Sequence, residues 1–216
     1  QATVNYNRDV EIFPVLRTMF ERIGGTSPYR SPTDMGVNMA GYCITDSDAV
    51  CEAARQEIIR RYYAALVSAR KGMTDGTDAD RIKLLMDSAG ISVSERSVIA
   101  AANAKAEETG LPAAALELPD GRIVTGKTSA LLGPTSAMLL NALKALAGIP
   151  DEVHLISPEI IRPIQDLKID HLGNHNPRLH TDELLVALSI CAVTDPAAEA
   201  AMQQLKNLRC CEVHST

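Results

Sequence analysis

Tryptophan is absent, and only two phenylalanines and five tyrosines occur among the 216 residues, so any core has to be aliphatic, built from Ala, Leu, Ile, Val and Met. The same scarcity leaves little surface for stacking nucleobases. A formal net charge of −6 also repels a phosphate backbone. Nucleic acid is therefore not the expected partner, although a local cationic patch can still hold a small anion. There is no CxxC pair, and Cys43, Cys51, Cys191, Cys210 and Cys211 leave one thiol over in any complete disulfide scheme. A reducing, cytoplasmic setting fits that pattern. The longest apolar run, Leu184 to Val193, is broken by Ser189 and is too short to span a bilayer. No basic leader precedes an apolar targeting core, so a membrane is not expected either.

What remains is the composition of an ordinary folded protein, 46% hydrophobic and 22% charged. The length suits one large domain or two small ones. The chain begins at Gln1 rather than Met, and Thr3 to Tyr6 reads as a strand already under way, as in a piece of a longer protein. A helix is expected to start near Asp9 or, as Pro14 favours, at Pro14, with Phe13, Leu16, Phe20 and Ile23 on one face and Gly24-Gly25 as its stop. The polar stretch from Thr26 to Gly41 is punctuated by Pro and Gly and reads as a long loop. It is either a binding loop around Tyr29, Arg30, Asp34 and Asn38 or a linker wrapped over the core.

From about Asp48 to Lys71 the apolar period is helical, with Thr45 or Ser47 as cap, Ala54, Ile58, Tyr62, Ala65 and Ala69 on one face, and Arg55, Arg60 and Arg61 free to reach solvent or an anion. Asp78 is placed to cap a short helix, and Ser97 to Glu108 forms another before Gly110. The pattern then changes. Ala115 to Leu118 and Arg122 to Thr125 flank Pro119-Asp120-Gly121, the signature of a hairpin. Pro134 opens a helix through Ala147, Glu152 to Ile156 reads as a strand, and Pro158 opens a further helix. A polar loop spans Leu172 to Pro177, Thr181 caps the next helix, Asp195-Pro196 opens another, and Cys211 to His214 forms a last strand whose continuation is missing. The expected fold is α/β of the α+β type: a helix-rich region over 1–110 and an α/β domain over 111–216, incomplete at its C-terminus.

Gly121 to Thr128 matches the phosphate-loop formula GxxxxGK[ST]. The context opposes it, because the first glycine belongs to a hairpin turn and Arg122 to Thr125 favour extended backbone, whose N–H groups face a ladder rather than a phosphate. A simpler use survives: Lys127, Thr128, Ser129, Thr135 and Ser136 surround a helix start that favours an anion. Asp166, Asp170, His171, His175, Arg178, His180, Asp182 and Glu183 form the densest titratable cluster. Gly173, Asn174 and Pro177 break the spacing that would set His171 and His175 on one helix face, and HExxH is absent. No metal is expected, and Arg178 and His180 are better placed in a polar substrate or interface loop. Cys210-Cys211-x-x-His214 is too small to define a metal site, and His154 reads as a core or edge residue. Neither a GxSxG elbow nor a Ser-His-acid trio can be assembled.

The segments VNYNRDVEIFPVL, SPYRSPTDMGVNMAG, QEIIRRYY, DGRIVTGKTS, LNALKALAGI, PIQDLK, NPRLHTDE and CEVHST together resemble the bacterial DUF1846, or UPF0371, family of uncharacterised proteins, across essentially the whole chain. The resemblance implies a longer protein, of which this chain is an internal to C-terminal portion, with a preceding region that carries its own GPGSGK phosphate loop. The hairpin and following helix also look like the layout of cytidine-deaminase-type domains. Gly133-Pro134-Thr135-Ser136 stands where those enzymes place their zinc ligand and glutamate, so only topology carries over. Two function classes follow. In one, the chain is the substrate- or phosphate-contacting part of a nucleotide-dependent enzyme, without a cofactor of its own, whose nucleotide is held mainly by the missing N-terminal part while Arg30, Lys127 and Arg178 receive phosphates or an acidic substrate. In the other, it is a structural or oligomerisation module, whose partners are the missing N-terminal region or a second copy.

Overall fold

We describe a computed structural model of the chain over residues 6–30 and 47–216, with residues 6–11 and 47 described by their backbone alone. The strand expected from Thr3 falls mainly outside the described residues, as do Asp34, Asn38 and Thr45, and Tyr6 is already helical. The fold is α+β. It divides into two compact units, Gln1–Arg96 and Ser97–Thr216.

The first unit is helical among its described residues: α1 (Tyr6–Gly24), α2 (Ser47–Arg70) and α3 (Thr77–Ala89), followed by a short 3-10 turn at Val93–Glu95. α1 does not wait for Pro14 but carries it in its interior, where the ring removes one backbone donor from the ladder. α2 runs as its period predicts and buries Ala54, Ile58 and Ile59, and α3 contributes Ala79, Leu85 and Met86. Phe13 is buried with them, whereas Phe20 and Ile23 of the expected α1 face are exposed. Asp78 is not the cap of α3. Gly76 holds that position, and the Thr77 N–H donates to Asp75 Oδ1 at 3.0 Å.

The second unit is a three-stranded antiparallel sheet between helices. Its elements are α4 (Ser97–Thr109), β1 (Ala113–Glu117), β2 (Ile123–Lys127), α5 (Pro134–Ala147), α6 (Pro158–Asp166) running into a π turn at Leu167–His171, α7 (Thr181–Cys191), α8 (Pro196–Met202) and β3 (Val213–Ser215). Strand order is β2-β1-β3. The central β1 is buried on both faces, which explains its run of small apolar residues. Ala115 packs with Val98 and Ala102 of α4, while Ala114 and Leu116 pack with Met138 and Ala142 of α5. A second apolar layer holds Leu143, Leu155, Ile161, Leu184, Leu188 and Ala198.

The hairpin forms as the Asp-Gly turn predicts, pairing Ala113 with Lys127 and Glu117 with Ile123. Gly121 sits at φ 81°, in the left-handed region that favours glycine. Gly126 has a different reason to be glycine: a Cβ there would lie 2.0 Å from the Met138 backbone nitrogen, so strand and helix touch backbone to backbone. The strand expected at 152–156 does not form. Both edges of β1 are already taken by β2 and β3, and the Val153 N–H donates to the Pro150 carbonyl in a turn instead. Leu155 and Ile156 are apolar because they fill the core. The sheet leaves the deaminase-type topology unconfirmed. No helix among the described residues is long and apolar enough to cross a membrane.

Candidate functional site

Two polar segments of the second unit, 127–136 and 172–183, meet at a single backbone bridge between Leu132 and Leu179. The Leu179 N–H donates to the Leu131 carbonyl at 2.9 Å, and the Leu179 carbonyl accepts from the Gly133 N–H at 3.1 Å and from the Ser136 hydroxyl at 2.9 Å. These bonds bring the starts of α5 and α7 together, with the Thr135 and Thr181 hydroxyl oxygens 3.4 Å apart. His180, not Thr181, occupies the position before α7, and its backbone N–H donates to Glu183 Oε2 at 2.8 Å. The glutamate three residues on thus supplies the returning half of a capping box, accepting from the N–H of the residue at the cap position.

Several of the residues singled out as anion ligands are engaged in this join. Arg178 Nε donates to the Ser129 carbonyl at 2.7 Å. The Ser129 hydroxyl accepts from the Leu131 and Leu132 N–H groups, and Thr128 Oγ1 donates to the Pro112 carbonyl at 2.8 Å. His180 is exposed, its Nε2 lying 3.4 Å from Asn176 Nδ2 and its Nδ1 3.7 Å from the Glu183 carboxylate. Lys127 is exposed at the end of β2 and has no hydrogen-bond or ion-pair partner among the described residues. Gly121 to Thr128 is turn and strand, without the wrapped backbone of a phosphate loop.

Beneath the join lies a residue that the sequence reading missed. Lys168, in the π turn and 2% exposed, donates from Nζ to the Arg178 carbonyl and to Glu183 Oε2, both at 2.7 Å. Burial is the largest influence on the Glu183 carboxyl and pushes it up. The Lys168 ammonium and the His180 N–H together outweigh burial and hold the group below the usual carboxylate range. The only trace in the sequence is a lysine set between Leu167 and Ile169 where the chain leaves α6.

Among the described residues, no group of three or more His, Cys, Asp or Glu side chains is placed to hold a metal ion. His171 and His175 are exposed, and Gly173 between them turns at φ 70°. Cys191 and Cys211 are free thiols, each pushed up chiefly by burial.

In the first unit, the Tyr29 ring packs edge-on against Phe20 at a centroid separation of 5.8 Å, and Arg30 pairs with Asp48 at 2.8 Å. A small cavity of about 70 Å³ is lined by Phe13 and Ile58 together with Arg17, Arg30 and Arg55. Each of these arginines has a carboxylate partner: Glu21, Asp48 and Glu95 respectively. Arg55, expected to reach solvent or an anion, instead grips Glu95 with two N–H groups, both at 2.7 Å.

Residues 1–90 match the family described as domain of unknown function DUF1846, N-terminal, and residues 94–216 match domain of unknown function DUF1846, C-terminal. Over all 216 residues the chain is 59% identical to the UPF0371 protein cu0538 of Corynebacterium urealyticum and to the UPF0371 protein DIP2346 of Corynebacterium diphtheriae, and 57% identical to the UPF0371 protein stu1377 of Streptococcus thermophilus. It covers 44% of the length of each of these relatives. Matched from end to end by the two halves of one family description, the chain belongs to the DUF1846 family.

Proposed function

We propose that the second unit is an assembly module of a longer protein, a scaffold that presents an apolar helix face to polypeptide outside this chain. The observation that carries this reading is the outer side of α7: Val186 and Ile190 are 60% and 61% exposed one turn apart, and Val193, just beyond the helix end, is 81% exposed. A surface helix ordinarily turns polar side chains outward, and a run of aliphatic ones marks a contact face. The polar groups next to it support the same reading. Thr128, Ser129 and Arg178 knit loops together, and Lys168 locks that knot from below. The relatives are more than twice as long as this chain, so the intended occupant of the face is the further polypeptide they carry, with a second copy as the competitor.

The test is to replace Val186 and Ile190 together by Asp. In the 216-residue chain, where both are exposed, thermal unfolding should barely move. In the complete protein the same pair should lower stability by several kcal/mol, roughly what two buried unpaired charges cost. Equal, small effects in both proteins would count against the module.

A second reading rests on Lys127, exposed and without a partner among the described residues. In it, Lys127 meets a phosphate held by the part of the protein outside this chain, as in a nucleotide-dependent enzyme. A charge-assisted contact of that kind is worth about 1.5–3 kcal/mol. Calorimetric titration of the complete protein with ATP would then show affinity falling at least about tenfold in Lys127→Ala. Unchanged affinity, or no binding, would leave the assembly reading alone.

A further inference from the structure

A cavity of about 190 Å³ opens in the second unit between α5, α6 and the turn that precedes α6, meeting the Leu132–Leu179 join only at Leu131 and Leu132. For scale, an apolar cavity of about 150 Å³ is enough to admit benzene. Its walls are aliphatic, with Leu132 and Leu140 on one side and Leu155 and Ile161 on the other. Three polar residues join the lining: Asn141, whose amide donates to the Thr125 carbonyl at 2.9 Å, Lys144, from the middle of α5, and His154, exposed at the rim. No Asp or Glu among the described residues lines it.

Lys144 makes the cavity more than a packing defect. Its side chain is carried on a residue only 8% exposed, yet among the described residues its ammonium has a single acceptor, the Asp151 backbone carbonyl at 2.9 Å. An ammonium has three hydrogens to place, and one neutral carbonyl satisfies only one of them. The two hydrogens left without a protein acceptor among the described residues can each reach an anion supplied from outside, in a charge-assisted bond. Lys168 differs: that residue is still more deeply buried, at 2% exposed, and has a carboxylate, Glu183, built in beside its ammonium. Where the chain supplies the counter-charge it has closed the site, and where it does not, there is a cavity.

We infer that this cavity is a binding site for a small carboxylic acid with an unbranched or lightly branched aliphatic tail, its carboxylate paired with Lys144 and its tail against Leu140, Leu155 and Ile161. The charge of one ammonium matches a monoanion. The mainly aliphatic walls disfavour a phosphate or a sugar acid, whose several remaining polar groups would have only Asn141 and His154 to meet. The site is separate from the apolar face of α7 and from Lys127, so it stands whichever reading of the protein's function holds.

The probes are hexanoate and its neutral isostere hexanamide, titrated into the complete protein and followed by calorimetry and saturation-transfer NMR. Hexanoate should bind at least about tenfold more tightly than hexanamide, the increment of one charge-assisted hydrogen bond. Lys144→Met should erase that preference while leaving amide binding in place. Should Lys144→Met fail to fold, Leu140→Phe, which narrows the cavity without touching the charge, takes its place and should weaken both probes by a similar factor. Equal affinity for acid and amide, or no saturable binding of either at millimolar concentration, overturns the assignment. So does a hexanoate affinity that Leu140→Phe leaves unchanged.

Discussion

In the first unit, arginines and lysines pair across helix surfaces: Arg17 with Glu21, Arg60 and Arg61 with Glu57, Lys83 with Asp87, and Arg55 with Glu95. In the second, Lys144, Lys168, Ser136 and Thr128 lie inside and hand their hydrogens to loop carbonyls. Arg96, buried at the end of the first unit, and the surface pairs Lys105–Glu108 and Arg122–Asp120 of the second depart from that contrast. The difference follows from architecture. Helices satisfy their own backbone and can leave charge on the outside, whereas a small sheet joined by long loops must find donors for carbonyls it has buried. Surface pairs are individually weak and buried donors are not, so the two regions should respond very differently to the loss of a single side chain.

The largest effect is expected where backbone meets backbone. Gly126→Val puts a side chain where even a Cβ would sit 2.0 Å from the Met138 nitrogen. It should cost at least about 3 kcal/mol on chemical denaturation, beyond the ordinary range of overpacking because no side chain can yield. A cost below about 1 kcal/mol would show that β2 and α5 separate easily. Next comes Lys168→Met, which leaves the Glu183 carboxylate with the His180 N–H but no counter-charge beneath it and removes the donor to the Arg178 carbonyl. A loss of about 3 kcal/mol is expected, the lower end for a broken buried pair because Glu183 is itself partly exposed. Arg55→Gln in the first unit should cost about 1 kcal/mol or less, fading with added salt, since that pair is about one-third exposed. Similar losses for Lys168 and Arg55 would dissolve the contrast.

Acid provides the finest comparison. Glu57 and Glu95 are held below the usual carboxylate range chiefly by hydrogen bonds from Arg60 and Arg55, and Glu183 is held low by Lys168 and the His180 N–H against the opposing push of burial. A depressed carboxyl contributes stability that is complete above its unfolded value of about 4.3 and is lost as pH falls through the lower folded value. Unfolding free energy should therefore hold level above about pH 5 and decline below it. In Lys168→Met burial faces the His180 contributions alone, so the part of that decline owed to Glu183 should shrink or change sign. An acid limb unchanged by the substitution would mean that the lysine is not what holds Glu183 ionised.

Local chemistry was legible where it acts over a few residues. The Asp120-Gly121 turn, Pro134 opening α5 and Asp195 accepting from the Ala197 N–H at 2.8 Å can all be read from neighbouring letters. The phosphate-loop match could be set aside on the same grounds. Less visible was anything decided by which chain segment arrives first at a shared partner. Residues 152–156 have the letters of a strand, but β3, some 60 residues further on, holds the only edge β1 had left. Lys168 and Lys144 look like surface lysines because nothing near them in sequence shows that a carbonyl ten or seven residues away will be buried beside them. Thr128, Ser129 and Arg178 were recognisable as polar and clustered, but their engagement in each other's loops appears only once those loops are joined.

The assembly reading is tested most directly at Val193. Val193→Cys, followed by peptide-resolved alkylation, reports how open that position is in each protein. In the 216-residue chain the new thiol should react as an exposed cysteine does. In the complete protein it should react about tenfold more slowly or less, as protection by a packed surface requires. Equal rates in the two proteins would contradict the account, because the most exposed aliphatic residue of the α7 face would then have nothing upon it.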